Sequence, residues 1–169
     1  MEEAEQSGKK WLTFTVVALV VAAAVFIGAF MVFNHQRENY AHYSPDQITE
    51  KMIGDLKLTD LEKVEGEQIS KHYDIPSGVV SDSSLYMSKS AESASELACF
   101  LLTDASKYKD LQAAVTAHIN AKAVGYKSLN PTQYNALKNY LIVHNGRYVL
   151  VAVGSSTEDE NKWFKSQIG

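Results

Sequence analysis

Two apolar runs joined by a turn dipeptide decide the fold of this chain: YLIVH at residues 140–144 and RYVLVAV at residues 147–153, separated by Asn145-Gly146. Asn-Gly between such runs favours a two-residue type I′ turn, because both central positions of that turn need a positive φ. The pattern therefore predicts a β-hairpin, and with it a sheet that is at least partly antiparallel.

A third apolar run lies upstream of the hairpin. Residues 96–103 (ELACFLLT) form a nearly continuous apolar segment, which is typical of a strand buried in the middle of a sheet. We interpret its Cys99 as a small core residue, since a free buried cysteine usually packs like a hydrophobe. Residues 85–89 predict one further short strand, which brings the expected sheet to about four strands.

Sequence patterns typical of helices occur before and after these predicted strands. Ser44 before Pro45, with Gln47 as the third helical residue, forms a capping box and predicts a helix over 45–56. Apolar residues at helical spacing after Asp104 predict a long helix to about Val124, where Gly125 is a natural stop. Further helices are expected over 61–73 with a break at Gly66, over 131–138, and after a capping box at 157–160.

This order of elements predicts an α+β fold, a small and mostly antiparallel sheet packed by helices on one face. Residues 34–169 hold 14 of the 16 Lys and Arg but 17 of the 20 Asp and Glu. A nucleic-acid partner is therefore not expected, because such a protein normally carries a basic excess. A single cysteine excludes an intramolecular disulfide.

A second feature sets the class of the protein: the run WLTFTVVALVVAAAVFIGAFMVF at residues 11–33, with 20 apolar residues and no charge. At 1.5 Å per residue it spans roughly 35 Å, enough for a hydrocarbon core of about 30 Å. A cleaved signal peptide has a shorter apolar region and a small-x-small site after it, whereas Asn34-His35-Gln36-Arg37 follow here. We therefore expect a cytoplasmic tail (1–10), a transmembrane signal-anchor helix (11–33), a stalk (34–44) and a folded domain (45–169).

The charges that flank this run bear on its orientation. Lys9 and Lys10 precede it, while Arg37 follows, so the positive-inside rule favours a cytoplasmic N-terminus and an extracytoplasmic domain. The reverse topology stays open. Small residues in the run (Ala18, Ala22 and Ala29) would permit weak self-association through packed helices, or they simply fill the span.

The residues suggest no catalytic, cofactor-binding or metal-binding site. The five histidines are scattered, and the motifs of a nucleophile elbow or a phosphate-binding glycine loop are missing. His118 lies beside the apolar stripe of its helix and is interpreted as a solvated or core-edge histidine rather than a ligand. Glu92 and Glu96 would pair as carboxylates only if the connection between them were helical. The serines at 81, 83 and 84 are read as turn formers, and the acidic residues at 60, 62, 65 and 67 as a solvated face.

Several of these features resemble one family. They are the N-terminal anchor, residues 95–100 (SELACF) leading to Asp104, and the stretch from Tyr126 through 130–134 (NPTQY) to 146–149 (GRYV). The pattern is similar to the bacterial domain-of-unknown-function family numbered 4358, and it covers about residues 45–165. The resemblance implies a membrane-anchored extracytoplasmic protein of Gram-positive, Clostridia-type bacteria. It brings no catalytic or binding residues.

Two functions follow as hypotheses. The first is a membrane-tethered extracytoplasmic interaction module that holds an envelope protein or another envelope component, with a sheet edge or the loop 74–83 as its contact surface. The alternative is an envelope enzyme, a hydrolase whose site matches no familiar motif. A pocket lined by serine, histidine or carboxylates would favour the enzyme.

Overall fold

The computed structural model describes residues 19, 21–29, 43–155 and 157–168. The chain divides after His42 into two units, each considered by itself. In the first unit, residues 21–29 are helical and their large apolar side chains are exposed, Phe26 to 79%. No helix in the described residues combines the length and apolarity that a membrane crossing requires. Most of the predicted anchor and stalk, and the whole predicted tail, lie outside the described residues.

The second unit, from Tyr43 onward, is an α+β domain. Its described helices are α1 (Pro45–Leu56), α2 (Gly66–Tyr73), α3 (Tyr108–Tyr126), α4 (Pro131–Lys138) and α5 (Glu158–Ile168). Its strands are β1 (Leu61–Lys63), β2 (Val80–Ser88), β3 (Glu96–Leu102), β4 (Leu141–Asn145) and β5 (Tyr148–Val153).

The sheet has five strands in the order β1-β2-β3-β5-β4, and every neighbouring pair is antiparallel. The α+β class and the antiparallel sheet are confirmed, but the expected number of four strands is one too few. The extra strand is β1, which was expected to be helical and instead pairs with the far end of β2. Strand β2 also begins at Val80 rather than Leu85, because its polar first half is held by pairing with β3.

The β4–β5 hairpin is confirmed, with its turn one residue later than predicted. Asn145 is the last residue of β4 and pairs with Tyr148, so the central positions are Gly146 and Arg147. Only Gly146 has a positive φ, 55°, which fits a type II′ turn with glycine first rather than a type I′ turn. The side-chain amide of Asn145 donates to the carbonyl of Ile168, which holds this residue in the strand.

Helices cover both faces of the sheet, where one covered face was expected. Ala98 and Phe100 of β3 lie in the main core with Leu111 and Val115 of α3. The opposite face packs against α1 and α5, and the hydroxyls of Thr49 and Ser84 meet there at 2.8 Å. Burial on both faces explains why β3 reads as a nearly continuous apolar run.

The helix predictions differ in accuracy. Helices α1 and α4 have the predicted bounds, and the Ser44–Gln47 capping box is present. Helix α3 follows a 3₁₀ turn (Ala105–Lys107) and continues through Gly125 to Tyr126, so that glycine is not a stop. Gly66 begins α2 instead of breaking a longer helix. The terminal helix α5 docks on the sheet through buried Phe164 and Ile168, as expected.

Candidate functional site

A buried polar cluster lies between β3 and helices α2 and α3. Glu96, at the start of β3, is 2% exposed, although glutamate is rarely buried without partners. Tyr73 is the last residue of α2, and His118 and Lys122 lie on one side of α3 because they are four residues apart. We call these four residues the Glu96 cluster.

Every polar side-chain group in the Glu96 cluster has a hydrogen-bonding or ion-pair partner. The Tyr73 hydroxyl donates to Oε1 of Glu96, while Oε2 lies 2.6 Å from Nζ of Lys122 and 3.2 Å from Nε2 of His118. The rings of Tyr73 and His118 pack with their centroids 4.3 Å apart. Three donors therefore surround one buried carboxylate, which meets the condition for burying a charge.

The contacts of His118 fix the orientation of its ring. Its Nδ1 is 2.7 Å from the carbonyl oxygen of His72, and its Nε2 is 3.2 Å from a carboxylate oxygen of Glu96. Both ring nitrogens therefore have a partner, and the ring links the end of α2 to the start of β3.

Contacts within the Glu96 cluster shift the pKa values of two of its residues. Burial alone raises the pKa of Glu96, but the hydrogen bond from His118 and the charge of Lys122 outweigh it and lower that pKa from 4.5 to about 2. Burial and the negative charge of Glu96 together raise the pKa of Tyr73 well above 10. Glu96 is therefore a carboxylate and Tyr73 a neutral phenol at neutral pH.

The Glu96 cluster also fastens α3 to the β2–β3 connection. Lys122 donates from Nζ to the carbonyl of Ala94 at 3.1 Å, and the Tyr126 hydroxyl donates to the carbonyls of Ala91 and Ser93. The side chains of Glu96, His118 and Lys122 are 0%, 10% and 15% exposed. The polar groups of the cluster form hydrogen bonds with one another and are shielded from water. We therefore assign the cluster a structural role.

A different region of the domain is open. A cleft of about 560 Å³ lies between α4, the start of β4, the end of β5 and the first turn of α5. Its lining residues are Thr132, Asn135, Ala136, Asn139, Leu141, Gly154, Ser155, Thr157, Glu158 and Asn161. We call this the α4–α5 cleft, and its volume is in the range of small-molecule sites, about 300–1,000 Å³.

The lining of the α4–α5 cleft combines apolar surface with uncharged polar side chains and carries little charge. Thr132 and Asn135 lie on one side of α4, because positions i and i+3 of a helix share a face, and Asn139 directly follows the helix. Glu158 is the one charged residue in the lining, and its carboxylate lies 2.8 Å from Nζ of Lys162. The hydrogen bond and the charge of Lys162 lower the pKa of Glu158, so this carboxylate is ionised and paired.

The residues that the sequence suggested as candidates for a functional site do not come together in the structure. Cys99 is fully buried, as predicted, and burial raises the pKa of its thiol. Glu92 is exposed in a non-helical connection while Glu96 is buried in β3, so the two do not pair. Ser84 is buried in β2 instead of lying in a loop. His118 lies at the core edge, one of the two positions predicted for it.

Neither the cleft nor the Glu96 cluster was predicted. Thr132 and Asn135 on a correctly predicted helix, and Asn139 directly after it, were visible in the sequence. The wall that they face comes from α5, after an intervening hairpin. Among the described residues, no group of three or more His, Cys, Asp or Glu side chains is arranged to hold a metal ion.

Taken together, these features define a three-layer α+β domain with a closed polar cluster in its core and an open cleft whose described lining holds a single charged residue. The chain belongs to the family described as Domain of unknown function (DUF4358), whose model matches residues 54–154, more than half of the 169 residues. No curated protein and no solved structure matches the chain significantly. The matched region contains the Glu96 cluster and the α4 wall of the cleft, whereas the α5 wall lies beyond it.

Proposed function

We propose that this chain is a membrane-tethered binding module of the bacterial cell envelope, with the α4–α5 cleft as its binding surface. The observation that carries the proposal is the cleft itself: about 560 Å³, lined from four elements, and rich in side-chain amides and hydroxyls. Polar groups placed around a concave surface are what orients a bound ligand.

The tether rests on the N-terminal run. Its 23 residues are long enough and apolar enough to span a bilayer as a helix. The described part of that run is helical, and the side chains of Leu19, Val25 and Phe26 are more than half exposed. Exposing such a surface to water costs about 25 cal/mol of free energy per Å² of apolar area. Burial in the hydrocarbon core of a membrane removes that cost.

The cleft and Tyr43, the first residue of the domain, lie at opposite ends of strand β5. The Tyr148 hydroxyl donates to the carbonyl of Tyr43 at 2.7 Å, so residue 43 lies by the β4–β5 turn. Gly154, which lines the cleft, follows the other end of β5. The cleft therefore lies at the end of β5 that is remote from Tyr43, the first described residue of the domain.

The hydrolase alternative has less support from this cleft. A serine nucleophile needs a neighbouring base to activate it. Ser155 lines the cleft, but the lining contains no histidine, and the carboxylate of Glu158 is paired with Lys162. The arrangement suits binding better than acyl transfer.

The binding role is tested by photo-crosslinking in living cells. A benzophenone amino acid replaces Asn139 in the cleft, and the matched control carries it at Asn120, an exposed position of α3 outside the lining. We expect an adduct with a defined envelope component from position 139 alone, in the membrane fraction. Equal adducts from both positions, or none from position 139 under several growth conditions, would contradict the proposed binding surface.

The tether and its orientation need a separate test. Cys99→Ala removes the native thiol, and Lys109→Cys places one on an exposed turn of α3. We expect a membrane-impermeant maleimide to label Lys109→Cys in intact cells, and alkaline carbonate to leave the chain in the membrane pellet. Labelling only after lysis would reverse the topology, and release into the medium or the soluble fraction would remove the tether.

A further inference from the structure

The charge balance of the α4–α5 cleft restricts what can occupy it. A charged ligand leaving water needs an opposite charge or strong donors in its site. Among the described residues, none that lines the cleft is a Lys, Arg or His, and the one carboxylate there, Glu158, lies 2.8 Å from Nζ of Lys162. An uncharged ligand therefore fits this cleft better than an ion.

The hydrogen-bonding groups narrow the ligand further. Each asparagine amide both donates and accepts, as does each threonine or serine hydroxyl. The cleft holds three such amides, Asn135, Asn139 and Asn161, and three such hydroxyls, from Thr132, Ser155 and Thr157. Groups of this mixed character complement ligand hydroxyls and amides, which also donate and accept at the same point.

We propose that the α4–α5 cleft binds a neutral saccharide that carries N-acetyl groups. This inference rests on the proposed binding function and names the ligand class for the same site. The apolar surface of the cleft, which includes Ala136 and Leu141, suits an acetyl methyl group and the C–H face of a sugar ring.

The test is a titration of the full chain in lipid nanodiscs, followed by calorimetry. The probes are the trisaccharide of N-acetylglucosamine, cellotriose, which has the same linkage without acetamido groups, and trialanine. We expect saturable binding of the acetylated trisaccharide and weaker binding of cellotriose. Absence of saturable saccharide binding at millimolar concentration, or tighter binding of trialanine, would overturn the proposed ligand class.

Two substitutions locate the binding. Thr132→Val and Asn135→Ala remove exposed polar groups from the α4 wall and leave the core untouched. Together they should weaken trisaccharide binding about tenfold, the loss expected for one or two hydrogen bonds. Asn120→Ala is the matched control and should bind normally, and circular dichroism verifies that each variant is folded. Unchanged affinity in the double variant would place the saccharide elsewhere and overturn the proposal.

The two proposals fail in distinguishable ways. If no saccharide binds but position 139 still yields a specific adduct in cells, the binding module stands and the ligand class is wrong. If position 139 yields no adduct and no saccharide binds, both proposals fall.

Discussion

Lys122 and Glu96 form an ion pair at the inner edge of the core, with Nζ 2.6 Å from Oε2 and the glutamate side chain wholly buried. Replacing Lys122 by methionine would leave this carboxylate with only two of its three donors. We expect the free energy of unfolding to fall by about 3 kcal/mol, because an uncompensated buried charge is strongly destabilising. Urea denaturation of the full chain in detergent micelles measures this change.

Two further variants separate charge from packing. Lys109→Met, at an exposed position of the same helix, should change stability by less than about 0.5 kcal/mol. Adding Glu96→Gln to Lys122→Met should restore part of the loss, since the buried charge is then gone. A double variant as unstable as the sum of the two single variants would show that the ion pair is not the cause.

Acid should destabilise the domain through Glu96. Its pKa is lowered to about 2 in the folded state, against 4.5 for an unperturbed glutamate, so the unfolded chain binds more protons between these values. The contribution of Glu96 is present above about pH 5 and is lost as the pH falls towards 2. Unfolding free energies measured across this range should decline, and Glu96→Gln should flatten the decline. An equally steep profile in Glu96→Gln would assign the acid sensitivity to other carboxylates.

Local signals explain which parts of the fold were predictable. Helices α1 and α4 begin at a capping side chain followed by proline, Ser44-Pro45 and Asn130-Pro131, and both have the predicted bounds. Strand β1 has no such signal, since three residues are too few for a period, and it is a strand only because it pairs with β2. The polar start of β2 is ordered in the same way, by pairing with β3.

The polar features of the domain were not predictable for the same reason. Glu96 meets Tyr73, His118 and Lys122 from 22 to 26 residues away along the chain. No local sequence pattern indicates contacts between residues so far apart along the chain. The sequence did place Cys99 in a buried strand, because that outcome depends on an apolar run. Helical phase put His118 beside the apolar stripe, either solvated or at the core edge, and the structure shows the second.

The hairpin turn supplies a backbone test. Gly146 has a φ of 55°, a conformation that side chains disfavour, and Gly146→Ala should lower the unfolding free energy by about 1–2 kcal/mol. Gly125 is the matched control: it is helical, and nothing lies within 4 Å of an added Cβ. Gly125→Ala should therefore stabilise the domain by about 0.5–1 kcal/mol. Thermal or urea denaturation of the two variants should show opposite shifts, and shifts of the same sign would contradict the assigned turn.

Burial should make Cys99 unreactive in the folded chain. Its side chain is enclosed in β3 beside Ser84 and Leu150, and burial raises the pKa of its thiol far above neutrality, so little thiolate forms. We expect a water-soluble disulfide reagent to modify Cys99 at least about a hundredfold more slowly in the native chain than in urea, because reaction requires unfolding. The exposed thiol of Lys109→Cys in a Cys99→Ala background is the reference and should react at similar rates in both states. Native Cys99 reacting as fast as that reference would mean that β3 is accessible and that both faces of the sheet are less well covered than the packing indicates.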